Sequence, residues 1–263
     1  MLTVDRVSCG YKTTRRQNKV ILQDISLQLA KGSVLCVLGT NGVGKTTLFK
    51  TILGTIPLLS GEIKVEGQNI KSLSKSRIAH KIGYVPQNHI PLFPYTVQQI
   101  VVMGRVSHLP LFAVPSTKDL EIAENALAVL GIAHLSEEVY SEISGGERQL
   151  VLIARALCQQ AEYLIMDEPT ANLDLRNQIL VLRQVKWLAQ AGIGVILTTH
   201  HPNHAFLCAD SVIVIKNKNS YLIGKPEDII TQPLLEEMFG IDISLTKVHN
   251  RQGNEITMVV SHL

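Results

Sequence analysis

The sequence has little of what marks a secreted, membrane-spanning or nucleic-acid-binding chain. Only four cysteines occur in 263 residues, Cys9, Cys36, Cys158 and Cys208, with no CxxC pair and no histidine at zinc-finger spacing. That excludes a disulfide-stapled mini-fold, gives no support for a metal module and fits a reduced, cytosolic setting. No stretch approaches the ~20 consecutive apolar residues that cross a bilayer, so the chain is not expected to span a membrane alone. Residues 1–10 lack the basic-then-apolar pattern of a secretory leader. Charge of one sign is also missing: 25 Lys and Arg stand against 22 Asp and Glu, for a net charge of +3. That balance is too even for a nucleic-acid face, and the short run Lys12, Arg15, Arg16, Lys19 reads as a solvated loop. What remains is length and apolar content, 263 residues with 46% hydrophobic, enough for the self-sufficient core of one large domain.

Residues 34–38 read as a buried strand running into a glycine-rich turn, and 46–53 have helical character until Gly54 stops it. Alternation at 62–66, and apolar residues at every second or third place over 22–29, suggest an antiparallel sheet near the N-terminus. Prolines 91, 94, 110 and 115 break up the next segment around a possible short helix, and a helix-period stretch follows at 118–130. After this mostly helical insertion come a helix at 146–158, an apolar run at 163–166, a helix at 175–191 and a second buried strand at 195–198. Strands alternating with helices imply βαβ crossovers and a parallel sheet. Residues 212–215 read as a further strand and 226–239 as one or two short helices. In the tail, Ile241, Ile243 and Leu245, then Ile256, Met258 and Val260, recur with period two, so two strands or a small hairpin are expected.

The strongest local signal is Gly39-Thr40-Asn41-Gly42-Val43-Gly44-Lys45-Thr46, which fits GxxxxGK[ST] after a strand and at the opening of a helix. Its glycines let backbone N–H groups turn inward on phosphates, at a helix N-terminus whose dipole favours anions. Lys45 then neutralises the β- and γ-phosphates, and the Thr46 hydroxyl, with Thr47 beside it, is placed to ligate Mg²⁺. The apolar strand at 163–166 ends in Asp167 and Glu168, where strand ends of a parallel sheet deliver side chains to a nucleotide crevice. Asp167 suits Mg²⁺, and Glu168 suits the general base that polarises the attacking water. A second anion site, a Ser hydroxyl and Gly N–H groups opening a helix, is written in Ile143-Ser144-Gly145-Gly146-Glu147-Arg148-Gln149-Leu150.

That last motif, shortly before the acidic strand, resembles the signature of ATP-binding-cassette ATPases. The resemblance implies that Ser144, Gly145, Gly146 and Glu147 contact ATP held by the phosphate loop of a second copy, in a head-to-tail dimer. Glu147 stands where the commonest version has Gln. It further implies that Tyr11 stacks on adenine, that Gln87 in Gly-Tyr-Val-Pro-Gln senses Mg²⁺ and the γ-phosphate, and that Asp174 communicates across the dimer. His200 takes the place of the switch histidine that bonds the γ-phosphate and orders Glu168, while His201 and His204 read as surface or helix-start residues. The implied fold is α/β, a P-loop NTPase core with an N-terminal antiparallel β subdomain and an inserted helical subdomain. The implied division is a core of residues 1–87 and 160–240, a helical subdomain of 88–159 including the signature helix, and a β tail of 241–263.

The segments Leu92-Phe93-Pro94-Tyr95-Thr96-Val97, Val101-Val102-Met103-Gly104-Arg105 and Thr199-His200-His201-Pro202-Asn203 resemble the ATPase subunits of type II importers for iron–siderophore, haem, cobalamin and, in some members, molybdate. By that resemblance Phe93, Tyr95, Val101, Met103 and Arg105 are candidates for contact with a permease, although each of them also suits packing inside the helical subdomain. The implied partners are a second copy, two transmembrane permease subunits and, indirectly, a substrate-binding protein, with the chain on the cytoplasmic face of the membrane and no role for nucleic acid. An exporter's ATPase subunit shares the catalytic motifs and stays open as the alternative. A chromosome-maintenance cassette needs a long coiled coil that the interval from Gln87 to Ser144 cannot hold.

Overall fold

A computed structural model describes residues 1–12, 18–87, 91–110, 112–249, 253 and 255–262. Arg15 and Arg16 of the basic run lie outside the described residues. The N-terminal strands β1 (Leu2–Lys12) and β2 (Asn18–Leu29) pair antiparallel and lead into β3 (Val34–Leu38), which is buried along its whole length. Then come α1 (Lys45–Ile52), β4 (Leu58–Val65), β5 (Gln68–Asn69), α2 (Lys75–Lys81) and β6 (Ile82–Val85). The insertion holds α3 (Val97–Val102), a 3₁₀ segment (Met103–His108), α4 (Thr117–Val129) and α5 (Gly145–Cys158). Then follow β7 (Tyr163–Met166), α6 (Leu175–Gln190), β8 (Gly194–Thr199), α7 (Pro202–Cys208), β9 (Ser211–Asn217) and β10 (Ser220–Gly224). Two short helices, α8 (Pro226–Ile229) and α9 (Gln232–Phe239), precede the tail hairpin β11 (Ile243–His249) and β12 (Glu255–Ser261). The expected elements are present, most with ends shifted by a residue or two. Strands β1, β5, β6 and β10 and helices α2 and α7 were not foreseen: β1 carries register irregularities that blur its alternation, and the others are short.

The central sheet has the order β10-β9-β3-β8-β7-β6, parallel from β9 to β6, while a second, antiparallel sheet runs β2-β1-β4-β5. One face of the central sheet packs with the antiparallel sheet and α1, through residues such as Leu48, Phe49, Ile63 and Ile165. The other face packs against α3, α4, α5 and α6, so the insertion shares its apolar core with the sheet. Burial of these side chains from water is the main driving term for both layers. The tail hairpin is seated on a third cluster, with Ile243 buried against a group that includes Leu38, Ala205, Val214 and Leu235. All four cysteines are free and buried. Among the described residues no helix is long and apolar enough to cross a membrane.

Inside the insertion the structure corrects two candidate permease contacts. Val101 is fully buried, because it lies on the face of α3 that packs into the core. Arg105 is also buried, and its guanidinium is consumed internally: Nε donates to Asp119 Oδ1 at 2.9 Å, while one terminal nitrogen donates to Cys158 O at 3.0 Å and Gln160 Oε1 at 2.9 Å. A cation at the carbonyl end of α5 is favoured by the helix dipole. Tyr95 and Met103 are half-buried against the same core, and Phe93 remains exposed. Gly104 is a packing glycine, since a Cβ there would sit 2.2 Å from Arg155 O and push the 3₁₀ segment off α5.

Breaking a buried ion pair from one side leaves the other charge unpaired. Arg105→Ala is therefore expected to lower the melting temperature by roughly 5 to 10 °C, read by calorimetry. The Ser116 hydroxyl, then the Arg105 guanidinium and the Ser116 N–H, hold Asp119 well below the usual carboxylate range. A depressed carboxylate contributes stability that is present above its unfolded value of about 4 and is lost as pH falls through the folded value. The gap between wild type and Arg105→Ala should thus stay constant at neutral pH and narrow only in acid. A melting temperature unchanged by the substitution would remove the pair from the stabilising core.

Candidate active site

Parallel strands place their carboxyl ends on one edge of a sheet, and here four such ends arrive together. Strand β3 runs into Gly39 and the phosphate loop, β6 into Pro86 and Gln87, β7 into Asp167 and Glu168, and β8 into His200. The registers Leu38 with Thr199, Leu197 with Met166 and Met166 with Val85 align those ends. This is the crevice where open α/β sheets bind ligands. The cleft has a volume of about 440 Å³ and is lined by Ile21, Asn41, Gly42, Gly44, Lys45, Thr46, Thr47, Gln87 and Glu168. Gly44 has φ +117, and a Cβ on it would meet Ile21 Cγ2 at 2.7 Å, so the loop conformation requires glycine there.

Glu168 is the hub of the site. Its Oε1 lies 3.3 Å from Lys45 Nζ, and its Oε2 accepts a hydrogen bond from Gln87 Nε2 at 3.3 Å. His200 Nδ1 is 3.3 Å from the same Oε2 but not aligned for a hydrogen bond, so among the described residues this buried nitrogen has no hydrogen-bond partner. Lys45 also donates to Gly39 O at 2.6 Å and to Thr40 O at 3.3 Å. Glu168 sits at φ +46, a left-handed conformation that a non-glycine residue holds only when its surroundings enforce it. The enforcement is visible: Glu168 N–H donates to Thr198 Oγ1 at 2.7 Å, and Ala171 N–H donates to Glu168 O at 3.0 Å.

Asp167 is 3% exposed and accepts from the Thr198 hydroxyl at 2.9 Å and the Tyr84 hydroxyl at 3.5 Å. Burial, and then the adjacent Asp167 carboxylate, pushes the Tyr84 phenol up to about 12, so it stays a donor. Thr198 thus orients both acids, a role sequence reasoning missed; the only signal was a pair of threonines closing an otherwise apolar strand. The hydroxyl of Thr46 is exposed in the cleft, while Tyr11, 43% exposed, places its hydroxyl 3.5 Å from Thr47 Oγ1. Tyr11 thus sits beside the start of α1 with its side chain partly open to solvent.

The signature residues are organised differently. Ser144 caps α5: its Oγ accepts from Glu147 N–H at 3.3 Å, and Ser144 N–H donates to Glu147 Oε2 at 2.8 Å, a complete capping box. Glu in place of Gln therefore strengthens the helix start, and the Ser144 hydroxyl and N–H hold its carboxyl below the usual range. None of Ser144, Gly145, Gly146 and Glu147 lines the phosphate cleft of the same chain. Asp174 caps α6, its Oδ1 accepting from Asn177 N–H at 2.8 Å. His201 is exposed at the start of α7, and His204 lies in the first turn of that helix, both as expected, but His204 is not at the surface. It is 5% exposed, with Nδ1 at 3.0 Å from Thr199 Oγ1 and 3.3 Å from Thr170 Oγ1, because its side of the first turn of α7 points into the core.

Comparison with known proteins agrees with this geometry. Residues 22–171, more than half of the chain, match the family model described as "ABC transporter". An uncharacterised ABC transporter ATP-binding protein of Haemophilus influenzae is 39% identical over 97% of this chain and 95% of its own. The molybdate import ATP-binding protein MolC of the same organism is 37% identical over 83% and 81%, and the hemin import ATP-binding protein HmuV of Rhizobium meliloti 32% over 90% and 93%. Among solved structures, a chain of an ABC transporter assigned to the metal-chelate type, in an inward-facing conformation, superposes with TM-score 0.86 and 32% identity, covering 100% of this chain and 97% of that one. A bacterial Atm1-family exporter with ATP bound gives TM-score 0.71 and 25% identity, over 87% of this chain and 39% of that one. With its phosphate loop, acidic strand end and signature helix on one cassette fold, the chain belongs to the ABC transporter family, as an ATP-binding subunit that hydrolyses ATP in the service of transport.

Proposed function

We propose that the chain powers an importer for a metal chelate, haem or an oxyanion such as molybdate. One observation carries the mechanism: Lys45, Gln87 and His200 all converge on the Glu168 carboxylate, while none of the signature residues lines that cleft. A site with one wall missing suits completion by a second copy. ATP then binds with its phosphates on the N–H groups of residues 39–47 and on Lys45, with adenine against Tyr11. Ser144, Gly145 and Gly146 of the other copy close over the γ-phosphate, and Asp174 reports across the dimer. Glu168 takes a proton from the attacking water, and His200 holds the γ-phosphate in line. The hard oxygen donors of Thr46, Asp167 and Gln87 fit Mg²⁺, which when bound neutralises phosphate charge.

The insertion, residues 88–159, is the natural lever, because it starts beside Gln87. Between it and the core runs a groove of about 630 Å³ lined by Leu53, Ile78, Tyr84, Met103, Val106 and Leu109 among others. An apolar groove between two bodies suits a permease helix, with Phe93 and Tyr95 as further contacts. The partners are accordingly two permease subunits and, through them, a substrate-binding protein, with this chain on the cytoplasmic face. The type of cargo is supported by the names of the haem and molybdate relatives, and import by a closer superposition on the metal-chelate-type chain than on the exporter.

Vesicles reconstituted with the permease and binding protein decide this. ATP-dependent accumulation of radiolabelled haem, ferric siderophore or molybdate is expected, with hydrolysis stimulated by the loaded binding protein. Efflux, or hydrolysis that no binding protein stimulates, would replace import by export.

A further inference from the structure

The C-terminal hairpin has no part in the phosphate chemistry above, yet it is tied to the core at a definite point. Asn203, the second residue of α7, turns its side-chain amide onto the backbone of Val259 in β12. Val259 N–H donates to Asn203 Oδ1 at 2.7 Å, and Asn203 Nδ2 donates to Val259 O at 3.4 Å. Val259 stands opposite Leu245 of β11, but both its polar groups face outward, as at every second residue of an antiparallel edge. The Asn203 amide therefore occupies the place of a further strand's peptide. The remaining junction is loosely filled: a cavity of about 500 Å³ lined by Leu207, Phe239, Ile243 and Met258 among others lies between α6, α7 and the hairpin.

The other side of α7 leads to the nucleotide site. Asn203 follows His200 by three residues, and His204 joins the end of β8, at Thr199 just before His200, to Thr170 just after Glu168. Thr199 Oγ1 also accepts from His201 N–H at 3.0 Å, which fixes the turn between strand and helix. Burial, and then the neighbouring histidines, pushes the His204 imidazole down to about 4, so it remains uncharged at neutral pH and keeps these contacts without a buried charge.

We propose that the tail hairpin braces the switch histidine: by clamping α7 through Asn203 it holds His200 in place for the γ-phosphate, which makes Asn203 a positioning residue for ATP hydrolysis. This rests on the assignment of His200 made above. Loss of the clamp frees the first turn of α7, and a displacement on the order of 1 Å at a reacting group costs up to ~100-fold in rate. The phosphate loop and Tyr11 are untouched, so nucleotide affinity stays the same.

The test uses the full chain with Asn203→Leu, Asn203→Asp, His200→Ala and the double variant Asn203→Leu/His200→Ala, measured in single-turnover and steady-state ATPase assays. Asn203→Leu is expected to lower kcat about 3- to 30-fold with KM for ATP and affinity for ADP within about twofold. Asn203→Asp keeps the acceptor for Val259 N–H but sets its second oxygen against Val259 O, so its rate is expected to fall between wild type and Asn203→Leu. Because Asn203 acts through His200, the double variant should be no slower than His200→Ala alone. Full kcat in Asn203→Leu beside a slow His200→Ala, or losses that multiply in the double variant, would overturn the brace alone. Full kcat in His200→Ala would overturn the assignment of His200 and the brace with it.

Discussion

Glu168→Gln is expected to lower ATP turnover by about 10²- to 10⁴-fold, the range a positioned general base contributes, while ATP stays bound. The carboxamide has the shape of the carboxylate, and the two bonds that enforce the left-handed backbone at residue 168, from its own N–H to Thr198 Oγ1 and from Ala171 N–H to its carbonyl, do not involve the side chain. The loss is therefore chemical. The substitution also removes the negative charge that Lys45 Nζ faces at 3.3 Å, which leaves the lysine free for the γ-phosphate. An ATP-dependent dimer should accumulate, seen as a doubled mass by light scattering, because the step that releases the two copies no longer occurs. Undiminished phosphate release by this variant would remove Glu168 from the role of base.

Lys45→Ala is expected to weaken ATP binding at least ~100-fold, since two hydrogen bonds to charged phosphate oxygens, each contributing ~1.5–3 kcal/mol, are lost together. Lys45 is 6% exposed, and its ammonium lies on Gly39 O and Thr40 O, so it is pre-aimed along the inner wall of the loop. The same removal leaves Glu168 without its cation, which adds repulsion between that carboxylate and the incoming phosphates. Calorimetric titration with ATP measures the effect, and thermal unfolding within a few degrees of wild type shows that the fold is kept. Wild-type affinity in Lys45→Ala would place the phosphates elsewhere.

The two substitutions separate binding from chemistry, and they differ from Arg105→Ala in kind. Arg105 was a candidate permease contact through the resemblance of residues 101–105 to importer subunits, with packing inside the helical subdomain as the other reading. Asp119, Cys158 and Gln160 reach it from 14, 53 and 55 residues away, distances over which no spacing rule operates. Its removal is a loss of stability, with the cleft left intact. Val101 shows the same limit: periodicity marks it as apolar, but only the packing of α3 on α5 decides that it faces inward.

Much of the site was nevertheless legible. Residues 39–46 carry their meaning locally, because glycines at set places, one lysine and a following helix are what a phosphate cradle requires within eight residues. The all-apolar strand before Asp167 and the Ser-Gly-Gly-Glu helix start are equally local, the latter a capping box whose two partners are three residues apart. Thr198, Thr199 and His204 were not readable in this way. Thr198 touches Asp167 and the Glu168 N–H, and His204 touches Thr170, across the sheet, while Thr199 acts through its bond to that buried His204.

The sequence by itself therefore determined the parts written in local motifs and the elements that carry them, because caps, turns and strand periodicity depend on dihedral angles and hydrogen bonds spanning a few residues. The tertiary structure decided which parts meet. Strand β3 lies between β8 and β9, and β7 between β8 and β6, an order unrelated to their order along the chain. It is this crossover arrangement that brings Lys45, Gln87 and His200 onto one carboxylate, turns His204 inward and leaves Asn203 to hold the tail. Such contacts join residues far apart in sequence, and burial and side-chain complementarity select them after the local elements exist.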